Sequence, residues 1–80
     1  MRLDKFLKVS RIIKRRTVAK EFAEHERVLV NGKMAKPSTE VKKGDVLSVR
    51  SGEREMQYEV LDIRDHIKAN ESKNLYRVLN

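Results

Sequence analysis

An 80-residue chain with 39% charged and 39% hydrophobic positions can build one small domain and little more. It has no cysteine to form disulfides or thiolate zinc sites, and its apolar runs of two or three residues are far too short to cross a membrane. A formal net charge of +7 narrows the partners to nucleic acid or anionic lipid.

All of that charge lies at the start of the chain. Met1–Lys20 carries eight basic residues, Arg2, Lys5, Lys8, Arg11, Lys14, Arg15, Arg16 and Lys20, against the single acid Asp4. Positions 21–80 hold eleven basic groups and eleven acids, which cancel. Leu3, Phe6, Leu7, Val9, Ile12 and Ile13 interleave with the cations, which predicts a folded cationic surface and not a disordered tail. The charges after Met1 leave no apolar centre for a signal peptide, and the absence of cysteine fits a cytoplasmic location.

Leu3, Phe6 and Leu7 form one stripe of a short helix ending near Ser10-Arg11, with Asp4 in its first turn. A second helix is expected to be capped by Thr17 and to carry Val18, Ala19, Phe22 and Ala23 on its apolar face. It should stop near His25-Glu26, although no glycine caps it. From Val28 the period changes to two. Val28–Val30, the turn Asn31-Gly32 and Lys33–Ala35 read as a tight hairpin, since both turn residues tolerate positive φ. Pro37–Thr39 breaks the second arm, Lys42–Asp45 is another turn, and Val46–Arg50 is a strand. Ser51–Glu53 turns the chain into a strand over Met56–Ile63. Residues 64–74 read as a loop or weak helix, and Leu75–Leu79 as a closing strand. The fold class is α+β, two short N-terminal helices on a small antiparallel sheet. The expected core is Leu3, Phe6, Leu7, Val18, Phe22, Val28 and Val30.

Nothing in this sequence looks catalytic. His25 and His66 stand alone, the glycines serve turns, and no phosphate-cradling loop is present, so neither enzyme activity, cofactor nor metal is expected. The cations carry the information, and their plain alternative is a solvated face that aids solubility. A membrane-surface helix would need a longer apolar face than Leu3, Phe6 and Leu7, which the core requires. A helix-turn-helix reading duplex DNA would present Lys20, Glu21 and Glu24, a poor set for base edges. Tyr58 and Tyr76 are too few to stack single-stranded bases. What remains is recognition of folded RNA by shape and phosphate.

The strings Arg2–Leu7, Ser10-Arg11, Arg16-Thr17-x-Ala19-Lys20, Arg27-Val28-x-Val30-Asn31-Gly32 and Gly44-Asp45 together resemble the RNA-binding domain first seen in ribosomal small-subunit protein four, the alpha-L motif. The match covers about residues 1–50, with 51–80 as a sheet extension of a single 1–80 domain. With Lys14–Glu21 included, the chain resembles the small stand-alone RqcP (YabO) family. That resemblance implies binding to large-subunit ribosomal RNA and peptidyl-tRNA in the cytoplasm. It also implies support of alanine tailing of stalled nascent chains alongside an RqcH-type elongation factor, by a protein expected to be a monomer. A sister family, the ribosome-associated heat-shock protein of similar size, and a generic RNA chaperone are the alternatives.

Carried over by position, Arg2, Lys5, Ser10, Arg11, Arg16 and Lys20 are the expected RNA contacts, with Lys8, Lys14 and Arg15 as auxiliaries. Asp4 has two readings, a helix-terminal cap or ion-pair partner that orients Arg2 or Arg11, or an RNA contact. The structural one is favoured, because a carboxylate facing phosphate would repel it. Asn31 and Gly32 are expected to form the turn. Glu26 departs from the motif, which commonly has Gly there as a left-handed helix cap.

Overall fold

Leu3, Phe6 and Leu7 turn one stripe of α1 (Leu3–Val9) fully into the core in the computed structural model, which describes residues 1–80. No side chain caps the start of α1. The loop before the strand at Val46–Ser51 does so instead, with Leu3 N–H donating to the Thr39 carbonyl at 2.8 Å and Asp4 N–H to the Pro37 carbonyl at 3.1 Å. Met1 and Arg2 are tied to the same loop, through the bond from Val41 N–H to the Met1 carbonyl and a bridge from Arg2 to Glu40. The cationic arm is thus anchored by backbone of the sheet half.

α2 spans Arg16–Glu24, and its N-cap is Arg15 in an extended conformation. Thr17 therefore lies inside the first turn, exposed, and the expected Thr17 cap is corrected: no side chain caps this helix. Ala19 and Ala23 are its buried residues, while Val18 and Phe22, expected in the core, are only half-buried. Two methyl groups against α1 bring the helices close, and the larger side chains are left on the flanks.

The end of α2 answers the question Glu26 raises. Glu26 adopts the left-handed conformation at φ 61 that glycine would take. Its N–H donates to the Ala23 carbonyl at 3.1 Å, and Arg27 N–H to the Phe22 carbonyl at 2.9 Å. These are the two bonds of a Schellman ending, and the Arg27 guanidinium lies 5.7 Å from the Phe22 ring centroid to close it.

Five antiparallel strands follow, in the order β2-β1-β3-β4-β5. β1 (Val28–Val30) and β2 (Lys33–Met34) pair Val30 with Lys33 across Asn31-Gly32, whose φ values are 53 and 79. Asn31 also accepts from Val46 N–H at 2.9 Å and donates to Asp45 at 3.0 Å, which fastens the hairpin to the start of β3 (Val46–Ser51). β4 runs over Arg54–Val60, not Met56–Ile63, because Gly52-Glu53 makes a two-residue turn that already pairs Ser51 with Arg54. Loop 61–68 and a 3-10 helix (Ala69–Leu75) lead to β5 (Tyr76–Val78), which pairs with β4. Helices and sheet share one core of twelve buried apolar residues, Leu47, Val60 and Leu75 among them.

Candidate nucleic-acid interface

A single carboxylate ties the starts of the two helices together. Asp4 accepts two bonds from Arg2, Nε to Oδ1 and Nη2 to Oδ2, each at 3.2 Å. Arg16 Nη2 reaches Asp4 Oδ1 at 3.4 Å, and Lys5 N–H donates to the same oxygen at 2.8 Å. The Asp4 side chain is 3% exposed, whereas Arg2 and Arg16 are 50% and 47% exposed. The acid is sunk beneath two guanidinium groups whose remaining donors face solvent, a geometry suited to phosphate. Burial alone would raise the Asp4 pKa. The Arg2 hydrogen bonds, the charge of Arg16 and the Lys5 N–H outweigh it and hold the carboxyl below its ordinary 3.8. Asp4 thus orients Arg2 as expected, but its second partner is Arg16 and not Arg11.

The other cations divide in two. Lys5 Nζ is bound to Asp65 at 3.0 Å. Lys8, Arg11, Lys14, Arg15 and Lys20 are exposed and make no ion pair. Lys8, Arg11 and Lys14 line one recess together, and Arg2 and Lys20 line a larger one beside Lys36, while Arg15 lines neither. The start of α2 adds to the positive field, since no acid and no side-chain cap stands in its first turn.

Ser10 does not belong to this surface. It is fully buried, with its hydroxyl donating to the Leu7 carbonyl at 3.2 Å and accepting from Ile12 N–H at 3.4 Å. The expected RNA contact at Ser10 is corrected to a structural one that closes α1. Arg11 follows it in the left-handed conformation, φ 62. Asn31 and Gly32 hold the hairpin, as expected of them. The extension supplies what the sequence did not signal: Asp65 and His66 stand beside Lys5, Lys8, Arg11 and Lys14. No motif or period marks a contact sixty positions apart.

Residues 1–47 match the S4 domain family. The chain is 52% identical over 79 residues to the RQC P-site tRNA stabilizing factor of Bacillus subtilis (strain 168), covering 99% of this chain and 92% of that protein. It is 48% identical over 80 residues to the factor of the same name from Streptococcus pneumoniae, covering 100% and 91%. Among solved structures, trimeric Vibrio cholerae Heat Shock Protein 15 superposes with a TM-score of 0.89 at 36% identity, covering 99% of this chain and 81% of that one. The alpha-L architecture and the RqcP-type motifs meet in these relatives, and the chain belongs to the S4 domain family, in the branch of the RQC P-site tRNA stabilizing factors.

Proposed function

We propose that the chain binds the large ribosomal subunit through its RNA and contacts the peptidyl-tRNA held there. In doing so it supports alanine tailing of stalled nascent chains beside an RqcH-type elongation factor. It acts as a cytoplasmic monomer without catalysis, residues 1–50 and 51–80 serving as one RNA-binding domain. Arg2, Lys5, Lys8, Arg11, Lys14, Arg15, Arg16 and Lys20 are the contacts. The observation that carries this reading is the Asp4 clamp: it presents Arg2 from the start of α1 and Arg16 from the start of α2 side by side, both half-exposed. The names of the relatives point the same way.

Cations on two arms of a bend can touch two phosphate backbones at once. Such a protein favours the assembly in which those backbones are adjacent, by no more than its differential affinity. Binding itself should be strongly salt-dependent, with a log–log slope of roughly −4 to −6 for about six phosphate contacts. Duplex DNA fits worse, because α2 exposes Glu21 and Glu24 beside Lys20.

Comparing purified large subunits with and without peptidyl-tRNA tests the proposal. The protein should prefer the tRNA-bearing subunit, and Arg16→Ala should weaken that preference and reduce alanine tails in cells, with naked RNA binding affected much less. Equal binding to free RNA, empty subunits and tRNA-bearing subunits would leave a generic RNA chaperone.

A further inference from the structure

Loop 61–68 is distant in sequence from the cationic arm, yet it packs beside it. Ile63 and Ile67 are half-buried against the core, and between them Asp65 accepts the 3.0 Å bond from Lys5. These contacts hold His66 at a polar recess of about 170 Å3, lined also by Lys8, Val9, Arg11, Lys14, Asp65 and Ile67. Lys8, Arg11 and Lys14 have no acidic partner. The one carboxylate in the lining is already engaged by Lys5, whose hydrogen bond and charge hold the Asp65 carboxyl below its ordinary range. The recess is therefore a net cationic hollow bounded by two separate parts of the chain. Arg11 occupies it from a backbone conformation that L residues rarely adopt, a kind of strain that gathers at functional sites.

We infer that this recess seats a phosphate: Lys8, Arg11 and Lys14 hold one phosphodiester of the bound RNA, and His66 adds a ring N–H from the opposite side. The extension thereby contributes a ligand from outside the segment that matches the S4 domain family. Lys and Arg supply charge and His supplies direction, since even a neutral imidazole has one N–H to donate. Asp65 is a positioning residue in this arrangement. The inference rests on the RNA-binding reading above and adds to it a location and a residue.

The test follows backbone amides by NMR while the whole chain is titrated with a hairpin fragment of large-subunit RNA and, separately, with inorganic phosphate. RNA should shift Lys8, Arg11, Lys14, His66 and Ile67 as well as Arg2 and Arg16. His66→Glu, which places a carboxylate in the recess, should lower RNA affinity about tenfold, with an unchanged melting temperature. Asn74→Glu, on the exposed 3-10 segment, should bind as the parent does. Shifts confined to Arg2, Arg16 and Lys20, with His66→Glu binding normally, would overturn the site and leave the RNA reading standing. No shifts with RNA anywhere would remove that reading and the site with it. Recess shifts as strong with inorganic phosphate as with RNA at equal phosphate concentration would overturn the assignment to an RNA phosphodiester.

Discussion

The helical arm and the sheet are both rich in charge, but they spend it differently. Residues 21–80 hold as many acids as bases, and four of their eleven cations are paired: Lys42 with Glu40, Arg50 with Glu55 at 2.8 Å, Arg64 with Asp62 at 2.9 Å, and Arg77 with Glu59. In the first twenty residues two arginines share one buried acid, and five further cations have none. Pairing at the surface contributes little to stability, so the sheet gains mainly neutrality and solubility from it. The first twenty residues carry a net repulsion that an external polyanion would relieve. Net charge, zero over residues 21–80 and +7 over the first twenty, and not the number of ion pairs, is what separates the scaffold from the proposed binding face.

The strongest way to break that contrast is at Asp4, where the two uses meet. Asp4→Asn should cost about 1–3 kcal/mol, because it removes the buried partner of two charged donors. A domain of this size would lose roughly 4–8 °C of melting temperature per kcal/mol. RNA affinity should fall too, as Arg2 and Arg16 lose their orientation.

The same residue gives the contrast a pH dependence. Its folded pKa lies below the ordinary 3.8, so its contribution is complete above that value and is lost as pH falls through the lowered one. The gap in melting temperature between parent and Asp4→Asn should therefore be full at neutral pH and shrink as the pH falls below 3.8 and through the lowered folded pKa. A gap that widened in acid would contradict the clamp.

Two left-handed residues sharpen the comparison. Glu26 and Arg11 each hold a helix ending that glycine would hold with less strain, at φ 61 and φ 62. Either change to Gly should raise stability by about 1 kcal/mol. Glu26→Gly should leave RNA binding alone, whereas Arg11→Gly should weaken it while the protein becomes more stable. Thermal melts paired with RNA titrations would separate the two. The smallest effect is expected at an exposed pair of the sheet: Arg77→Ala should change stability by about 0.5 kcal/mol or less and RNA affinity not measurably.

Local features of this fold were legible and distant ones were not. The stripe Leu3, Phe6, Leu7 and the turn Asn31-Gly32 are encoded by neighbours in the chain, and both form as read. The location of the cations is likewise a property of the sequence itself. Thr17 misled because a hydroxyl in the right place is a cap only if the backbone turns there, and Arg15 turns first. Ser10 misled because a motif position carried over from the family does not say which way its side chain turns, and here the helix end takes the hydroxyl inside. The pairs Asp4–Arg16 and Lys5–Asp65 join residues twelve and sixty positions apart, which no local period can announce. Both depend on how the helices dock against each other and how loop 61–68 folds back on α1.

The most direct test removes two cations from each region and follows RNA binding as salt is raised. Arg11→Ala with Arg16→Ala should flatten the log–log slope by about 1.5–2 and weaken binding at every salt concentration, while Lys42→Ala with Lys43→Ala should change neither. Equal losses from the two pairs would contradict the account, because the sheet would then be part of the binding face and not its scaffold.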